Sequence, residues 1–379
     1  HADETAPATS NHIVHLVPSP DQSDILTYHK ADVPEPSGPT MDLTATNIVI
    51  ATGAKPRPLP GNPFAGALID STQALEVNEF PSSAVIIGAG AIALEFASMW
   101  NAAGSKVTLL IRKDRVLSAW DRRAGTTLTR ELKRHGVNII TRASVTHVDT
   151  GANLGATVHY TREGQDGEQS VWGEIALVAI GRDPITDPAW GVTIDDHGHV
   201  ATDAYGRTDK PGVWAVGDVT AGHALAHRAF EQGIVIAETI AGLNPKPVDE
   251  ATVPQIVFSF PEAASVGLTV EQAQAREDLI EIKETNYPML ANARMLMSGT
   301  AGSLTIVSGC DAANPDTPRV LGVHMVSQMA SDIIAEAEQL VGNHVPLADA
   351  ARLVHPHPTF SETLGEALLK ADGRPLHTR

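Results

Sequence analysis

The pattern of apolar and polar residues divides this chain into regions of different character. From about residue 84 to residue 180, short continuous apolar runs alternate with stretches in which apolar residues recur at helical spacing. The pattern predicts buried strands at 84–87, 106–111, 137–140 and 175–180, with helices at 91–103 and 122–135. Because strands and helices alternate, we expect a parallel sheet with right-handed crossovers. Shorter runs at 145–148, 156–160 and 171–172 predict a small antiparallel excursion from it.

Apolar runs on both sides of this region predict further strands. Runs at 48–51 and 213–216 are each followed closely by glycine, and a helix is predicted at about 224–240. Short alternating runs near the start, at 13–17 and 25–29, are also compatible with strands. Beyond a segment rich in Pro and Gly at 242–247, the pattern predicts an antiparallel sheet of strands at 253–258, 281–287, 303–308 and 320–326, with helices at 270–275, 330–341 and 362–369. Two α/β parts therefore precede one α+β part.

Composition narrows the class of protein. The chain has 379 residues, which at about 150 residues per domain suggests two or three domains. Its net charge of −18 makes binding to nucleic acid or to an anionic membrane unfavourable. No apolar run approaches the roughly 18 residues of a membrane span, and we expect a cytoplasmic protein. The single cysteine excludes an internal disulfide framework and a Cys-rich zinc site, and the sequence indicates no metal ligands.

A glycine-rich turn carries the first candidate chemistry. Gly88, Gly90 and Ala93 fit the spacing G-x-G-x-x-[GA] between a predicted strand and a predicted helix. In a dinucleotide site, the first glycine makes the tight turn, the second lets a pyrophosphate approach the backbone, and the third position packs helix against strand. The helix N-terminus then offers unpaired N–H groups to the phosphates. The alternative is an ordinary tight turn between strand and helix.

The end of the next strand bears on the choice of cofactor. An NAD site usually has Asp or Glu there, about 20 residues after the glycines, to bind the ribose 2′-hydroxyl. This chain has Ile111, followed by Arg112, Lys113, Asp114 and Arg115. Three cations around one carboxylate suit a 2′-phosphate better, so we expect a preference for NADPH. The alternative is a solvated basic loop.

Further segments extend the pattern across the chain. They are ATG at 51–53, GAGAIALEFA at 88–97, AIGRDP at 179–184, AVGDVTAGHALAH at 215–227 and HPHPTFSE at 355–362. Taken together and in this order, they resemble the pyridine nucleotide–disulfide oxidoreductases from about residue 45 to the C-terminus. Within that family the chain looks closest to the dihydrolipoamide dehydrogenases, whereas residues 111–117 are more similar to glutathione reductase.

The resemblance implies an α/β fold with two Rossmann-like dinucleotide-binding domains and a C-terminal α+β dimerisation domain. The FAD-binding domain would be incomplete and discontinuous, comprising residues 1–75 and 181–248. The NAD(P)-binding domain would comprise residues 76–180, and the dimerisation domain residues 249–379. The resemblance also implies a homodimer.

The resemblance assigns cofactor roles residue by residue. Gly88, Gly90 and Gly181 would contact the nicotinamide cofactor, NADP or NAD. Glu95 would lie near the contact between flavin and nicotinamide, where the family pairs it with an N-terminal lysine. Asp218 would hold the ribityl chain of the flavin. The remaining FAD contacts would come from Gly53, Ser71, Thr72, Ala224, Leu225, Ala226 and His227.

A candidate acid–base pair precedes the last predicted helix. Glu362 lies in the first turn, and we expect Thr359 or Ser361 to cap the helix and Glu362 to reach back to the His357 ring. A carboxylate on one ring nitrogen fixes the tautomer and suits the other nitrogen to general acid–base catalysis. In the family pattern, this histidine exchanges a proton with the substrate thiol in the active site of the other subunit. His355 would play a supporting role; the alternative is a helix cap with two surface histidines.

The sequence departs from the family at its start. The family carries roughly a hundred residues before the ATG motif, with an FAD glycine turn, a redox cysteine pair and the lysine partner of Glu95, whereas this chain has about fifty and none of these motifs. Cys310, in a Gly-Cys-Asp segment, is expected to be a surface thiol in a turn. Because the first residue is His1 and no leader follows, we expect a chain cut or processed from a longer protein, or else a degenerate member.

The implied activity is hydride transfer between NAD(P)H and FAD, coupled to a small-molecule or lipoyl-type disulfide. One cysteine without a partner thiol cannot reduce a disulfide, so these residues alone should not turn over lipoamide. Two alternatives stay open. One is an NADPH-dependent glutathione, mycothione, mercuric or quinone reductase. The other is a non-catalytic remnant that binds a nucleotide but no flavin.

Overall fold

The computed structural model describes residues 12–16, 41–151, 155–299 and 301–378. Its strands are β1 (His12–Leu16), β2 (Met41–Ala45), β3 (Ile48–Ile50), β4 (Ala54–Pro56), β5 (Leu68–Ile69), β6 (Ser83–Ile87), β7 (Lys106–Leu110), β8 (Asn138–Ile140), β9 (Ala143–Asp149), β10 (Ala156–Arg162), β11 (Glu168–Gly173), β12 (Ile175–Val178), β13 (Arg182–Pro184), β14 (Val213–Ala215), β15 (Gln255–Val257), β16 (Glu262–Gly267), β17 (Leu279–Pro288), β18 (Ser303–Asp311) and β19 (Asn314–Ser327). Its helices are α1 (Ser71–Leu75), α2 (Ala91–Ala102), α3 (Arg122–Arg134), α4 (Ala226–Ile240), α5 (Val270–Gln274), α6 (Ala293–Ser298), α7 (Ala330–Gly342), α8 (Leu347–Ala350) and α9 (Glu362–Ala371). The strand predicted at 25–29 lies outside the described residues.

The chain divides into two compact units. The first unit comprises His1–Lys55 and Asp183–Val248, and the second comprises Pro56–Arg182 and Asp249–Arg379. In the first unit, β3 and β14 pair in parallel, with Ile50 opposite Ala215. The core of this unit consists of Ile50, Val192, Val200, Val213, Ala215 and Val219. The first unit is therefore discontinuous in sequence, and the expected domain division at residues 75 and 181 stays a prediction.

The second unit contains the predicted parallel sheet. Its strand order is β5-β12-β6-β7-β8, and every neighbouring pair is parallel. One core packs helices α2 and α3 on the sheet through Leu94, Trp100 and Leu128, all fully buried. A second core joins the sheet to the three-stranded antiparallel sheet β11-β10-β9. The continuous apolar strands thus have both faces covered, as buried parallel strands require.

The C-terminal part is an antiparallel sheet covered by helices. Its strand order is β15-β16-β19-β18-β17. Residues of β19, α7 and α9 share one core, exemplified by Val323, Ile334 and Leu364. Helices and strands are mixed here without βαβ order, so the expected class is confirmed: α/β units with a C-terminal α+β part. Among the described residues, no helix combines the length and apolarity of a membrane span, and the cytoplasmic location stays a prediction.

The prediction for Cys310 is wrong. The residue lies inside β18 opposite Ile280 of β17, and its side chain is completely buried. Burial raises the pKa of the Cys310 thiol, which disfavours the reactive thiolate. Cys310 is therefore a buried core residue and not a surface thiol.

Candidate functional site

The glycine-rich loop between β6 and α2 has the geometry of a phosphate-binding turn. Gly88 has a φ of +145°, and a Cβ built on it would lie 2.1 Å from the carbonyl oxygen of Ala179. Only glycine fits at this position. The same Cβ would lie 3.3 Å from Cβ of Ala93, which is fully buried against the strand. The small residue at the third motif position therefore permits close packing of helix on sheet.

Gly90 lies at the opening of this loop. It is the N-cap residue of α2, with extended backbone and no side-chain cap. A Cβ built on Gly90 would meet no atom within 4 Å, so open space faces the helix N-terminus. The first N–H groups of an α-helix have no partner within the helix and carry partial positive charge. This cradle fits the pyrophosphate of a dinucleotide.

Other predicted residues leave the same edge of the parallel sheet. The N–H of Gly88 donates to the carbonyl of Leu110, and the N–H of Ala179 donates to the carbonyl of Ile87. Gly181, with a φ of +132°, therefore follows β12 on one side of the loop. From β6 the chain continues to its neighbour β7 on one side, while its neighbour on the other side is β12. Open α/β sheets bind ligands at such a topological switch point, where the strand order reverses.

Ser71 and Thr72 belong to the second unit. They open the short helix α1 directly after β5, which is parallel to β12. The Asp70 side chain caps this helix by accepting from the N–H of Gln73. The two residues therefore follow an edge strand of the parallel sheet of the second unit, whereas the predicted FAD-binding domain includes them.

The basic loop after β7 is only partly available to a ligand. Ile111 is buried in the core, whereas Arg112 and Lys113 are exposed. The Arg115 guanidinium donates to the Ser118 carbonyl at 3.1 Å and pairs with the Asp114 carboxylate at 3.4 Å. The exposed cations at this end of the strand are therefore Arg112 and Lys113.

The first unit brings Gly53 and Asp218 to one edge of its parallel strand pair. The N–H of Val216 donates to the carbonyl of Ile50, so both chain segments leave β3 and β14 side by side. Gly53 has a φ of +69°, and the Asp218 carboxylate makes no hydrogen bond to a described residue. A half-buried carboxylate in this position can accept a hydrogen bond from a ligand hydroxyl.

Helix α4 begins at Ala226, two residues later than predicted. Its N-cap is Leu225, which provides no side-chain cap, and both Ala224 and His227 are exposed. The uncapped N-terminus can donate N–H groups to an electron-rich ring. Residues 224–227 therefore lie where they can contact a ligand through backbone groups rather than through side chains.

Sequence reasoning missed Arg228. This buried cation donates to the carbonyl of Ala221 at 2.5 Å and to Thr220 Oγ1 at 3.4 Å. A Cβ on Gly222 would lie 2.3 Å from the guanidinium. Arg228 thus fixes the loop between Asp218 and α4. The sequence feature that indicates such a role is the position of this arginine directly after His227, a predicted binding residue.

Glu95 is engaged within the second unit. One carboxylate oxygen accepts the N–H of Phe258 at 3.0 Å, and Ser98 Oγ accepts the N–H of Phe260 at 2.8 Å. These bonds attach α2 to the start of the C-terminal sheet. The structure therefore shows a positioning contact for Glu95, whereas its contact with cofactors stays a prediction.

His357 and Glu362 form the expected contact. His357 Nδ1 lies 2.8 Å from Glu362 Oε1, while Oε2 accepts the N–H of Thr359 at 2.8 Å. Burial opposes the charged carboxylate, but the hydrogen bonds from Thr359 and His357 outweigh it and hold the pKa of Glu362 below its ordinary value. Ser361, one of the two residues predicted to cap α9, is its N-cap residue, but its side chain makes no capping hydrogen bond. Its hydroxyl lies 2.9 Å from Thr359 Oγ1 instead.

His355 anchors the segment in front of the pair. Its Nε2 lies 2.9 Å from Glu336 Oε1 of α7, and this hydrogen bond raises the pKa of His355 against the effect of burial. A Cβ on Gly365 would lie 2.4 Å from the His355 ring, so glycine lets the ring lie against α9. His355 thus holds this segment against α7 and α9, and its supporting role in catalysis stays a prediction.

Comparisons with known proteins agree with this architecture. The family model "Pyridine nucleotide-disulphide oxidoreductase" matches residues 14–233, and the model for the dimerisation domain of that family matches residues 253–368. A dihydrolipoyl dehydrogenase of Cupriavidus necator is 38% identical over 341 residues, which cover 88% of this chain and 70% of that protein. A dihydrolipoyl dehydrogenase of Bacillus subtilis is 36% identical over the same length, with the same coverage.

Solved structures show the same fold. LpdA from Mycobacterium tuberculosis superposes with a TM-score of 0.79 and 26% identity, covering 98% of this chain and 75% of that one. The HOCl-induced flavoprotein disulfide reductase RclA from Escherichia coli gives a TM-score of 0.76 and 27% identity, covering 87% of this chain and 74% of that one.

Proposed function

Because the chain belongs to the pyridine nucleotide-disulphide oxidoreductase family, we propose that it supports hydride transfer between a nicotinamide dinucleotide and FAD. FAD and NAD(H) are the cofactors of the dihydrolipoyl dehydrogenases in this family. When bound, the flavin accepts the hydride and passes the electrons on. The observation that carries the proposal is the loop of Gly88 and Gly90, which leaves open space at the N-terminus of α2.

In the proposed division of the chain, residues 76–180 bind the nicotinamide dinucleotide, residues 1–75 and 181–248 bind FAD, and residues 249–379 form the dimer interface. Residues 56–75 are an exception to this division, because they belong to the second unit and β5 pairs there with β12. The N-terminus of α2 binds the pyrophosphate, and the N-terminus of α4 donates N–H groups to the flavin ring. The Asp218 carboxylate binds a hydroxyl of the FAD. The family match to a dimerisation domain supports a homodimer.

The proposed electron acceptor is a lipoyl-type disulfide. The curated relatives named above are dihydrolipoyl dehydrogenases, and His357 with Glu362 supplies a group that can hold a proton at Nε2. Exchange with a disulfide needs a thiol pair, and the only cysteine of these 379 residues, Cys310, is buried. Lipoamide turnover therefore requires cysteines that this sequence does not contain.

A second candidate function is an NADPH-dependent reductase whose acceptor is glutathione disulfide, mycothione, mercuric ion or a quinone. The exposed Arg112 and Lys113 at the end of β7 favour it, since they suit a 2′-phosphate. A quinone accepts electrons without a dithiol, so this chain alone could reduce it.

An acceptor panel tests quinone reduction by this chain and the requirement of lipoamide turnover for further cysteines. The purified chain, supplied with FAD, is assayed with NADH and NADPH against lipoamide, glutathione disulfide and a benzoquinone. We expect quinone reduction and no lipoamide reduction. Lipoamide turnover by this chain would overturn the requirement for external cysteines. Oxidation of neither nucleotide with any acceptor would favour a nucleotide-binding remnant without redox function.

A further inference from the structure

The three-stranded sheet β11-β10-β9 carries a cluster of side chains that the proposed redox function does not use. His147 of β9 is the direct register partner of His159 of β10. Their rings stack with centroids 4.1 Å apart and planes inclined by 8°. Because alternate residues of a strand share a face, Asp149 lies on the same side of β9 as His147. Glu168 of β11 completes the group on this face.

The two carboxylates lie at opposite edges of the imidazole pair. Asp149 Oδ2 is 3.1 Å from Nε2 of His159 and 4.0 Å from Nε2 of His147. Glu168 lies at the other edge, 3.8 Å from Nδ1 of His147 and 3.6 Å from Nδ1 of His159. Both rings therefore turn Nε2 toward Asp149 and Nδ1 toward Glu168.

We propose that His147, His159 and Asp149 bind a divalent transition-metal ion of the zinc, nickel or copper class. One ligand atom of each residue lies within 4.8 Å of the other two. Imidazole nitrogen and carboxylate oxygen are the ligands that these ions take in proteins. Tetrahedral bonds of about 2.0–2.1 Å place neighbouring ligand atoms roughly 3.4 Å apart, between the 3.1 and 4.0 Å separations seen here. Because the two rings are stacked and nearly parallel, their Nε2 lone pairs do not converge, so one ring must rotate out of the stack for both nitrogens to bind the same ion.

Glu168 is the positioning residue of this site. A histidine that binds a metal through one nitrogen usually donates the N–H of the other to a carboxylate or carbonyl. Glu168 lies 3.8 Å from Nδ1 of His147 and 3.6 Å from Nδ1 of His159, slightly beyond hydrogen-bond distance. Thr146 Oγ1, which is 3.3 Å from Nδ1 of His147, donates to Glu168 Oε1 at 2.6 Å and links the carboxylate to that ring. With no ion bound, Nε2–H of His159 donates to Asp149 Oδ2 at 3.1 Å, because a carboxylate only accepts, and metal binding replaces this proton. Glu168, beside Nδ1 of both rings, favours the tautomer with the proton at Nδ1 that metal binding at Nε2 requires.

The site is open to solvent. The side chains of His147 and Asp149 are 46% and 66% exposed, whereas that of His159 is 22% exposed. An ion can therefore enter directly, and water can complete its coordination. Three protein ligands with an open fourth position differ from a closed structural zinc site.

The test is a titration of the whole chain with Zn²⁺ in competition with a chromophoric chelator, in a metal-free, non-coordinating buffer. We expect one competing site per chain. His159→Ala and Asp149→Asn should each weaken Zn²⁺ binding at least tenfold, and Glu168→Gln about 10–100-fold. Asp149 is exposed, so its replacement leaves packing intact, and circular dichroism checks the fold of each variant.

The matched control is His377→Ala. His377 Nδ1 lies 2.7 Å from Glu366 Oε1, which is a histidine–carboxylate pair without a second histidine. Its removal should leave Zn²⁺ binding unchanged. As a second measurement, Co²⁺ bound to the wild-type chain should give the visible bands of a site with nitrogen ligands, and these bands should disappear in His147→Ala. Equal Zn²⁺ affinity of the wild type and His159→Ala, or no binding by the wild type, would overturn the proposal and leave a cluster of ion pairs only.

Discussion

Glu362 accepts a hydrogen bond from His357 at 2.8 Å while its other carboxylate oxygen accepts the N–H of Thr359. The two bonds fix the carboxylate in the first turn of α9 and orient an imidazole that is 74% exposed. A ring held at Nδ1 and open elsewhere can exchange a proton with a ligand through Nε2. This relationship is the local basis for assigning the pair an acid–base role.

Replacing His357 should change the titration of Glu362. In His357→Gln the charge and the ring N–H are lost, so we expect the pKa of Glu362 to rise toward its ordinary value. Carboxyl ¹³C NMR measures this pKa directly. His377→Gln, which removes a histidine paired with Glu366, is the control and should not move the Glu362 resonance. An unchanged pKa in His357→Gln would contradict the contact.

The lowered pKa of Glu362 also determines how the free energy of unfolding changes with pH. Because the folded-state pKa lies below the unfolded value, the stabilisation is present above the unfolded pKa and is lost as pH falls through the folded one. His357→Gln should therefore show a smaller loss of unfolding free energy on acidification than the wild type. Urea unfolding over an acid pH series measures the difference.

Gly88 and Gly90 should respond differently to alanine. Gly88→Ala forces a positive φ and a clash with the backbone of Ala179, so we expect a loss of about 2–4 kcal/mol in unfolding free energy. Gly90→Ala adds a methyl group to open space at a φ of −92°, so stability should change by less than about 1 kcal/mol. The same methyl would block the pyrophosphate, and binding of NADPH, measured by calorimetry, should weaken at least tenfold. Undiminished NADPH binding by Gly90→Ala would contradict the proposed phosphate cradle.

The charge at residue 112 should decide the choice of cofactor. A charge-assisted hydrogen bond contributes about 1.5–3 kcal/mol, so Arg112→Glu should weaken NADPH binding by roughly 10–100-fold while sparing NADH. Lys106→Glu is the control, because it makes the same charge change at the opposite end of β7. Calorimetric titrations with both nucleotides give the ratio. If Arg112→Glu and Lys106→Glu shift the ratio equally, the basic loop plays no specific role. Ile111 is unsuitable for this test, since it is buried and a charge there would disrupt the core.

His324 should make the C-terminal sheet sensitive to acid. Its ring is fully buried in β19, where Nδ1 accepts from Ser265 Oγ at 2.7 Å and Nε2–H donates to the Leu268 carbonyl at 3.0 Å. Burial lowers the pKa of His324, so the unfolded chain binds a proton that the folded chain does not. Stability should therefore fall as pH drops below about 6.5, by at most about 1.4 kcal/mol per pH unit from this residue. Urea unfolding between pH 7.5 and 5.5 should show a smaller slope for His324→Gln than for the wild type, within roughly that limit. Equal slopes would contradict the neutral buried ring.

The fold was most predictable where local pattern and tertiary packing agree. The strands and helices of the parallel sheet follow from continuous apolar runs and helical spacing, because both faces of that sheet are covered. Strand β16 was missed, since Glu262–Gly267 is made of small residues and becomes a strand through pairing with β15 and β19. Gly309 predicts a turn, but it lies within β18, where a side chain would not fit, because a Cβ would lie 2.7 Å from Ile282 Cδ1. This is why Cys310 was assigned to the surface.

The candidate functional residues also divide into those that local sequence predicts and those that depend on tertiary contacts. The loop from Gly88 to Ala93 was predictable because its chemistry is contained in six consecutive residues. The group of His147, His159 and Asp149 was not, because it depends on the register between β9 and β10, which includes an irregularity after His159. Sequence spacing alone does not specify that register.

The most direct test of hydride transfer is an anaerobic absorption titration of the freshly purified chain, supplied with FAD, against NADPH. We expect visible flavin bands that stay with the protein through gel filtration and bleach on addition of NADPH. Gly90→Ala should retain the flavin bands and require at least about tenfold more NADPH for the same bleaching, in line with its weakened binding. Protein that retains flavin yet shows no bleaching with NADPH or NADH, or that retains no flavin at all, would contradict the account.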